Sequence, residues 1–287
     1  MHKLTAYFFL LLPLFLSGCA LQWQASWQET GVDRSTGRTE AFYKRAGDCL
    51  GTAGDGASVD RCIGLYEAVL LDNPGDYRAR VQAASLYILK GTAYSRSEEK
   101  TPAFRRAMKY AELAMYTNPG FQKAVDAGAY PWEAVSALGE SEAEAMFFWV
   151  TALQYEFKEG MSLPSKVLNI GWLQRALLFL DRIETVAPAF GGGGVEFGKV
   201  ICYMALPESL GGSNMKGADY MGRAVAKGSD WLFPRWARGK YYLPAKGEKK
   251  AARDELAWVA SQDPAAFRDP YPWSVHFQED SRRILSQ

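Results

Sequence analysis

The chain has 287 residues, with 33 basic against 32 acidic side chains and two histidines. One lysine and one histidine, Lys3 and His2, fall in a predicted leader, so the mature chain has balanced charge and a single histidine, His276. A zinc site built from two or three imidazoles is thereby excluded, and balanced, interspersed charge argues against a nucleic-acid-binding protein. The hydrophobic content of 48% is ample for a folded core, which excludes global disorder.

Residues 1–18 have the features of a secretory leader. The apolar run from Tyr7 to Leu16 is too short for a transmembrane helix, which needs roughly 20 residues, and has the length of a signal-peptide core. It ends in Leu16-Ser17-Gly18-Cys19, which resembles the bacterial lipobox, so Cys19 is predicted to carry acyl chains. The alternative is an ordinary leader that happens to contain a cysteine.

Residues 19–38 are predicted to form a lipidated tether, because the sequence from Gln22 to Arg38 is polar and turn-rich. Several acyl chains on one residue give a stable membrane anchor, and no other membrane contact is expected. Cys19 is followed by Ala20 and not by the aspartate that suggests retention in the inner membrane. By analogy with Gram-negative sorting, the predicted location is the periplasmic side of the outer membrane.

Export places the remaining cysteines, Cys49, Cys62 and Cys202, in an oxidising compartment. Cys49 and Cys62 flank a Gly- and Asp-rich turn between two helical patterns, and a helical hairpin would bring them near each other. Either a disulfide or two free, buried cysteines fits this placement. Cys202 lies in an apolar run and is predicted to be a core residue.

Most of the remaining chain has the periodicity of amphipathic helices, and no stretch alternates as a strand does. The pattern is clear in Leu173, Ala176, Leu180 and Ile183, which recur at intervals of three and four. Four similar helix-ending sequences stop shortly before a proline, as the second helix of a tetratricopeptide (TPR) hairpin does, at Pro74, Pro119, Pro188 and Pro264. We therefore predict an all-α fold of TPR-like hairpins in an irregular superhelical array, forming a single domain over residues 39–287.

Three sequence signals predict where helices begin. Thr101-Pro102 supplies an N-cap followed by proline at the first helical position. Ser141 and Glu144 have the spacing of a capping box. A single long helix is predicted from Pro164 to about Val186.

No residue pattern predicts catalysis, and no cofactor is expected. The segment Gly193–Val200 nearly matches a phosphate-binding loop, but it lacks the final hydroxyl residue and follows a helix where a strand is required. Acidic pairs such as Glu142 and Glu144 would suit a glycosidase, yet residues two apart on a helix do not face each other. His276 follows a Pro- and aromatic-rich stretch and is interpreted as a packing or surface residue, and no nucleophile with a base beside it is recognised.

Three segments together resemble the TatT family, the TPR lipoproteins associated with tripartite ATP-independent periplasmic (TRAP) transporters. They are Pro188–Gly192, Leu206–Ser213 and the Ala-rich stretch Ala218–Ala226, which follow the lipobox and the TPR-like hairpins. The most specific element is the Pro-x-x-Leu-Gly-Gly turn formed by Pro207, Leu210, Gly211 and Gly212. Ser213 stands where members often carry an acidic residue, and serine also caps helices.

The interhelical turn also has a physical rationale. Pro207 is expected to stop one helix, Gly211 and Gly212 to permit positive φ, and Ser213 or Asn214 to cap the next helix. Aromatic residues are abundant in the second half of the chain, and some are expected to line a cavity for an apolar ligand. The candidates beside the turn are Tyr203, Tyr220, Trp231 and Trp236.

The resemblance implies a non-catalytic periplasmic lipoprotein that self-associates, expected as a homotrimer. It further implies docking to the substrate-binding protein of a TRAP transporter, and binding or passage of a small apolar ligand. A TPR scaffold for outer-membrane or envelope assembly is the main alternative, since it would share the anchor and the hairpins. A cell-wall hydrolase using two carboxylates is the least favoured.

Overall fold

The computed structural model describes Leu21, residues 23–28 and residues 37–287. Cys19 and the predicted leader lie outside these residues. Within the described ranges every regular element is a helix, as the periodicity predicted, and none of these helices is long and apolar enough to cross a membrane.

The first half of the array follows a 3-10 turn at Ser26–Gln28. Its α-helices are α1 (Thr39–Leu50), α2 (Gly56–Asp72), α3 (Tyr77–Leu89), α4 (Ser97–Met115), α5 (Pro119–Asp126) and α6 (Ala143–Tyr155). Helices α3 and α6 each continue into one π-helical turn, at Lys90–Tyr94 and Glu156–Gly160.

The second half begins with the short helix α7. Its α-helices are α7 (Leu163–Leu168), α8 (Gly171–Val186), α9 (Gly194–Ala205), α10 (Asn214–Lys227), α11 (Phe233–Ala237), α12 (Leu243–Ala245), α13 (Lys249–Ser261) and α14 (Tyr271–Leu285). A π-helical turn at Arg238–Tyr242 joins α11 to α12.

Neighbouring helices pack as hairpins that form one continuous array. Helix α1 packs on α2, α3 on α4, α9 on α10 and α13 on α14, while α6 joins the two halves by packing against α4 and α8. The apolar stripe predicted on α8 is buried, including Leu173, Ala176, Leu180 and Ile183. Burial of such stripes against neighbouring helices supplies most of the stability of an amphipathic helical array.

The helix ends agree with the proline signals. Helix α2 ends at Asp72, α4 at Met115, α8 at Val186 and α13 at Ser261, each shortly before its proline. Proline has no N–H to donate and its ring clashes with the preceding turn, so the helices stop there.

The predicted start at Thr101-Pro102 is wrong. Helix α4 begins at Ser97, and Pro102 lies inside it. The carboxylate of Glu99 accepts the backbone N–H of Arg96 at 3.1 Å, which satisfies an exposed donor at the helix start one turn earlier than predicted.

The capping box predicted at Ser141 and Glu144 is wrong by about half a turn. The Glu142 carboxylate accepts the backbone N–H of Gly139 at 2.7 Å, and a 3-10 turn at Glu140–Glu142 precedes α6.

The long helix predicted from residue 164 is two helices. Ser162 caps α7, but α7 ends at Leu168. The side-chain amide of Asn169 donates to the Ser165 carbonyl at 2.8 Å, and this local hydrogen bond takes the place of a continuing backbone ladder. Helix α8 then begins at Gly171 and ends at Val186, the predicted end.

Candidate functional site

A cavity of about 610 Å³ lies between α6, α9 and the C-terminal segment from Trp231 to Phe277. Its wall is mainly aromatic. The aromatic lining residues are Phe147, Phe148, Tyr155, Phe157, Phe190, Phe197, Trp231, Phe233, Trp236, Tyr241, Trp273 and Phe277. Apolar ligand sites in proteins have this size and this kind of lining.

Helix periodicity explains which side chains face the cavity. On α6, Phe148, Thr151 and Tyr155 are spaced by three and four and line it, as does the neighbouring Phe147. Helix α9 likewise turns one face to the cavity, and the residues on that face are Gly194, Phe197, Gly198, Ile201 and Ala205. The absence of a side chain at Gly194 is required, because a Cβ there would lie 2.7 Å from the Phe147 ring.

The four consecutive glycines shape one wall of the cavity. Gly191, Gly192 and Gly193 have φ values of +82°, +49° and +89°, which L side chains rarely adopt. The indole of Trp231 packs against Gly192 so closely that a Cβ would come within 2.3 Å of the ring. The segment therefore permits close packing against the backbone.

The lysine of the near-match to a phosphate-binding loop is already paired. Lys199 is buried, and its Nζ lies 2.6 Å from an Asp181 carboxylate oxygen and also contacts Glu184. Burial opposes protonation, but the hydrogen bonds to the two carboxylates raise the pKa of Lys199 above its usual range. Lys199 thus stabilises the packing of α9 on α8.

The structure separates the four predicted ligand-lining residues into two pairs. Trp231 and Trp236 line the cavity. Tyr203 and Tyr220 lie outside its lining and stack on each other with ring centroids 5.6 Å apart. Tyr203 is two residues beyond the cavity-facing Ile201, which places it on nearly the opposite side of α9, toward α10.

Isolated polar groups border the apolar wall. The Lys158 Nζ lies 3.6 Å from the centroid of the Tyr241 ring, and burial lowers the pKa of Lys158 to about 8 although the nearby Glu159 opposes this shift. The Asp269 carboxylate is buried and accepts the backbone N–H of Leu232 at 2.6 Å. Burial raises the pKa of Asp269 to about 6, and burial also raises the pKa of Glu144.

His276 lies behind the cavity wall. It is buried, and its ring packs against Trp236, Trp273 and Phe277. Burial lowers its pKa to about 4, so the imidazole is neutral at physiological pH. Among the residues that the structure describes, no group of three or more His, Cys, Asp and Glu side chains is arranged to hold a metal ion.

The interhelical turn uses its two glycines for different reasons. A 3-10 turn at Glu208–Leu210 leads into Gly211, whose φ of +95° requires glycine. Gly212 does not have the predicted positive φ. Its Cβ would instead lie 1.8 Å from the Leu206 carbonyl oxygen, so close backbone approach is what requires this glycine. Ser213 caps α10 by accepting the Lys216 N–H at 3.2 Å.

The cysteines also have distinct environments. Cys49 and Cys62 form a disulfide with an S–S distance of 2.02 Å, which links α1 to α2. Cys202 is buried, and the Gln154 amide lies 3.3 Å from its sulfur. None of the three cysteines lines the cavity, although Gln154 does.

Sequence analysis missed a segment before α1. Part of the predicted tether packs against the body: Trp27 stacks on Tyr116 with centroids 5.0 Å apart, and Trp23 and Ser26 donate to the buried Glu112. Sequence analysis also missed the cavity-facing aromatic residues of α6. Their spacing of three and four was visible, but it does not distinguish a cavity wall from a filled core.

Comparison with known proteins adds no family. The chain matches no protein-family model, and no curated protein is similar enough to it to be matched. The TatT resemblance therefore stays a prediction based on the lipobox-like sequence, the helix endings and the Leu-Gly-Gly turn.

Proposed function

We propose that the protein is a lipid-anchored, non-catalytic protein of the periplasm that binds or passes a small apolar ligand and docks a TRAP-type substrate-binding protein. The observation that carries the ligand half of this proposal is the aromatic cavity of about 610 Å³. Ligand sites commonly span roughly 300–1,000 Å³ and are lined by apolar side chains with a few polar groups. The transporter half rests on the sequence resemblance.

The polar groups at the cavity support a binding role. Asp269 is held by a main-chain donor and Lys158 lies over the Tyr241 ring, while the buried, neutral His276 lies behind the wall and outside its lining. The wall thus offers a ligand mainly shape and apolar contact.

Ligand binding is tested by filling the cavity. Ile201→Trp places a large ring in the lining, and Leu178→Trp adds the same ring at an exposed position of α8 as the matched control. With the apolar fluorescent probe N-phenyl-1-naphthylamine, we expect at least tenfold weaker binding for I201W and unchanged binding for L178W. Equal affinities in the two variants would contradict the ligand half of the proposal.

Docking is tested by purifying the acylated protein from native membranes in mild detergent. The expected co-purifying protein is the substrate-binding subunit of a TRAP transporter, and light scattering is expected to give a homotrimer. Recovery of outer-membrane assembly factors without that subunit would instead favour the scaffold function. The cavity favours the ligand-binding proposal, since a scaffold needs no such space inside its array.

A further inference from the structure

Helix α7 has its apolar face turned away from the protein. Leu163, Val167 and Leu168 are 75%, 67% and 45% exposed. Leu163 and Val167 are four residues apart and so share one face of the helix. A helix on the surface of a globular protein normally shows the reverse arrangement, with its apolar stripe against the core.

The polar side chains of α7 and its C-terminal end point inward. The Lys166 Nζ donates to the Lys158 carbonyl at 2.8 Å, and Asn169 is buried. The polar side of α7 is therefore used to attach the helix to the body, while its aliphatic side faces solvent. Such an exposed aliphatic patch indicates an interaction surface.

The N-terminal segment reaches the body at the end of α7. The backbone N–H of Leu21 donates to the Asn169 side-chain oxygen at 2.6 Å, and Leu21 packs against the main core. The predicted acylation site, Cys19, is two residues earlier and lies outside the described residues. Leu21, the described residue nearest in sequence to the proposed anchor, is thus held at the end of α7.

The same edge of the protein borders the cavity. Lys158 and Lys166 both line it, and 47% of the Lys158 side-chain surface is accessible. Lysine side chains beside exposed aliphatic residues fit a phospholipid surface, because ammonium groups pair with phosphates while the aliphatic groups enter the acyl boundary.

We propose that α7 is a membrane-contact helix: Leu163, Val167 and Leu168 rest on the phospholipid bilayer, and the accessible Lys158 lies at its phosphate layer. The inference rests on the lipid anchor of the proposed function. It adds an orientation, in which the cavity edge at Lys158 and Lys166 lies next to the bilayer. An amphiphile leaving the membrane would meet the cavity at that edge.

The contact is tested with spin labels on the full acylated protein in phosphatidylethanolamine–phosphatidylglycerol vesicles. Val167→Cys places the label on the proposed contact face, and Leu71→Cys places it at a 61% exposed position on α2 as the control. We expect the label at position 167 to be more accessible to oxygen than to a water-soluble nickel chelate, and the label at position 71 to show the reverse. Equal, water-like accessibility at both positions would overturn the proposal.

A second variant separates membrane contact from contact between proteins. Leu163→Ser/Val167→Ser removes aliphatic surface at exposed positions, so the fold is expected to be retained by circular dichroism. Loss of about five aliphatic carbons is expected to weaken vesicle partitioning at least tenfold while leaving the oligomeric state unchanged. Unchanged partitioning with a lost oligomer would assign this face to a second copy of the chain and overturn the proposal.

Intact mass spectrometry separates failure of the anchor from failure of the contact. If the protein is acylated and the label at position 167 reports water, the anchor stands and the α7 proposal fails. If the protein is not acylated, the anchor in the proposed function fails, and vesicle sedimentation then decides for α7. Weaker sedimentation of the double serine variant than of the unsubstituted chain supports the contact, and equal sedimentation overturns it.

Discussion

The indole N–H of Trp23 donates to the buried Glu112 carboxylate at 2.8 Å, although the two residues are 89 positions apart in the sequence. Ser26 and Trp149 donate to the same carboxylate, at 2.5 and 2.9 Å. Burial raises the pKa of Glu112, and these hydrogen bonds oppose that shift. The segment before α1 therefore supplies two of the three side-chain donors that compensate a buried acid.

Trp23→Phe is expected to lower the free energy of unfolding by about 1–3 kcal/mol, because it keeps an aromatic ring and removes one donor from a buried carboxylate. Trp27→Phe is the control, since its ring stacks on Tyr116. We expect it to have the smaller effect in urea denaturation. Equal losses would show that ring packing, and not the hydrogen bond to Glu112, holds the segment.

The helical array could be predicted from sequence because its signals are local. The stripe on α8 and the prolines after α2, α4, α8 and α13 act within one or two turns of where they occur. Contacts between distant segments left no comparable signal. Trp23 meets Glu112, and Leu21 meets Asn169, only because the fold brings them together.

The cavity was predictable only in part for the same reason. Of the four nominated aromatic residues, Trp231 and Trp236 line the cavity, whereas Tyr203 and Tyr220 lie outside its lining. Two positions along α9 separate a residue that faces the cavity from one that faces α10. Closeness in sequence to the Leu-Gly-Gly turn does not tell which side of the helix a residue is on.

Gly192→Ala is expected to be strongly destabilising, by roughly 2–4 kcal/mol, through positive φ and overpacking. Its φ is +49°, and the new Cβ would come within 2.3 Å of the Trp231 ring. Displacement of Trp231 is also expected to weaken probe binding in the cavity. Gly222→Ala is the matched control, because this position of α10 has no neighbour within 4 Å of its Cβ. It should stabilise the protein by up to about 1 kcal/mol in thermal unfolding, and similar losses in both variants would contradict the argument.

The disulfide is expected to contribute about 3 kcal/mol, because Cys49 and Cys62 are 13 residues apart and a bridge of that span restricts the unfolded chain. Cys49→Ser/Cys62→Ser should lower the urea midpoint by the corresponding amount. Reductant should lower the urea midpoint of the unsubstituted protein toward that of the double variant and leave the midpoint of the double variant unchanged. A reductant effect that persists in the double variant would point to another thiol.

His276 and Asp269 are expected to have opposite effects on stability at acidic pH. The pKa of His276 is lowered from 6.5 to about 4 by burial, so the unfolded state binds its proton first and stability falls as pH falls through that window. The pKa of Asp269 is raised from 3.8 to about 6 by burial, so the folded state binds its proton first. Stability from this group therefore rises as pH falls from about 6 toward 3.8. Between pH 7 and pH 5 the two contributions largely cancel.

Substituting either residue should leave the pH-dependent contribution of the other to the free energy of unfolding. The contributions of all other titrating residues are shared with the unsubstituted protein, so they drop out of the comparison. Asp269→Asn keeps an acceptor for the Leu232 N–H and leaves the His276 contribution uncompensated. That contribution should lower the variant's stability by about 2 kcal/mol from pH 7 to pH 5, a fall about 1 kcal/mol larger than in the unsubstituted protein. His276→Gln should instead gain about 1 kcal/mol over the same interval, relative to its own stability at pH 7. Urea unfolding at the two pH values measures both changes. Parallel pH dependence in all three proteins would mean that neither buried group titrates in this window.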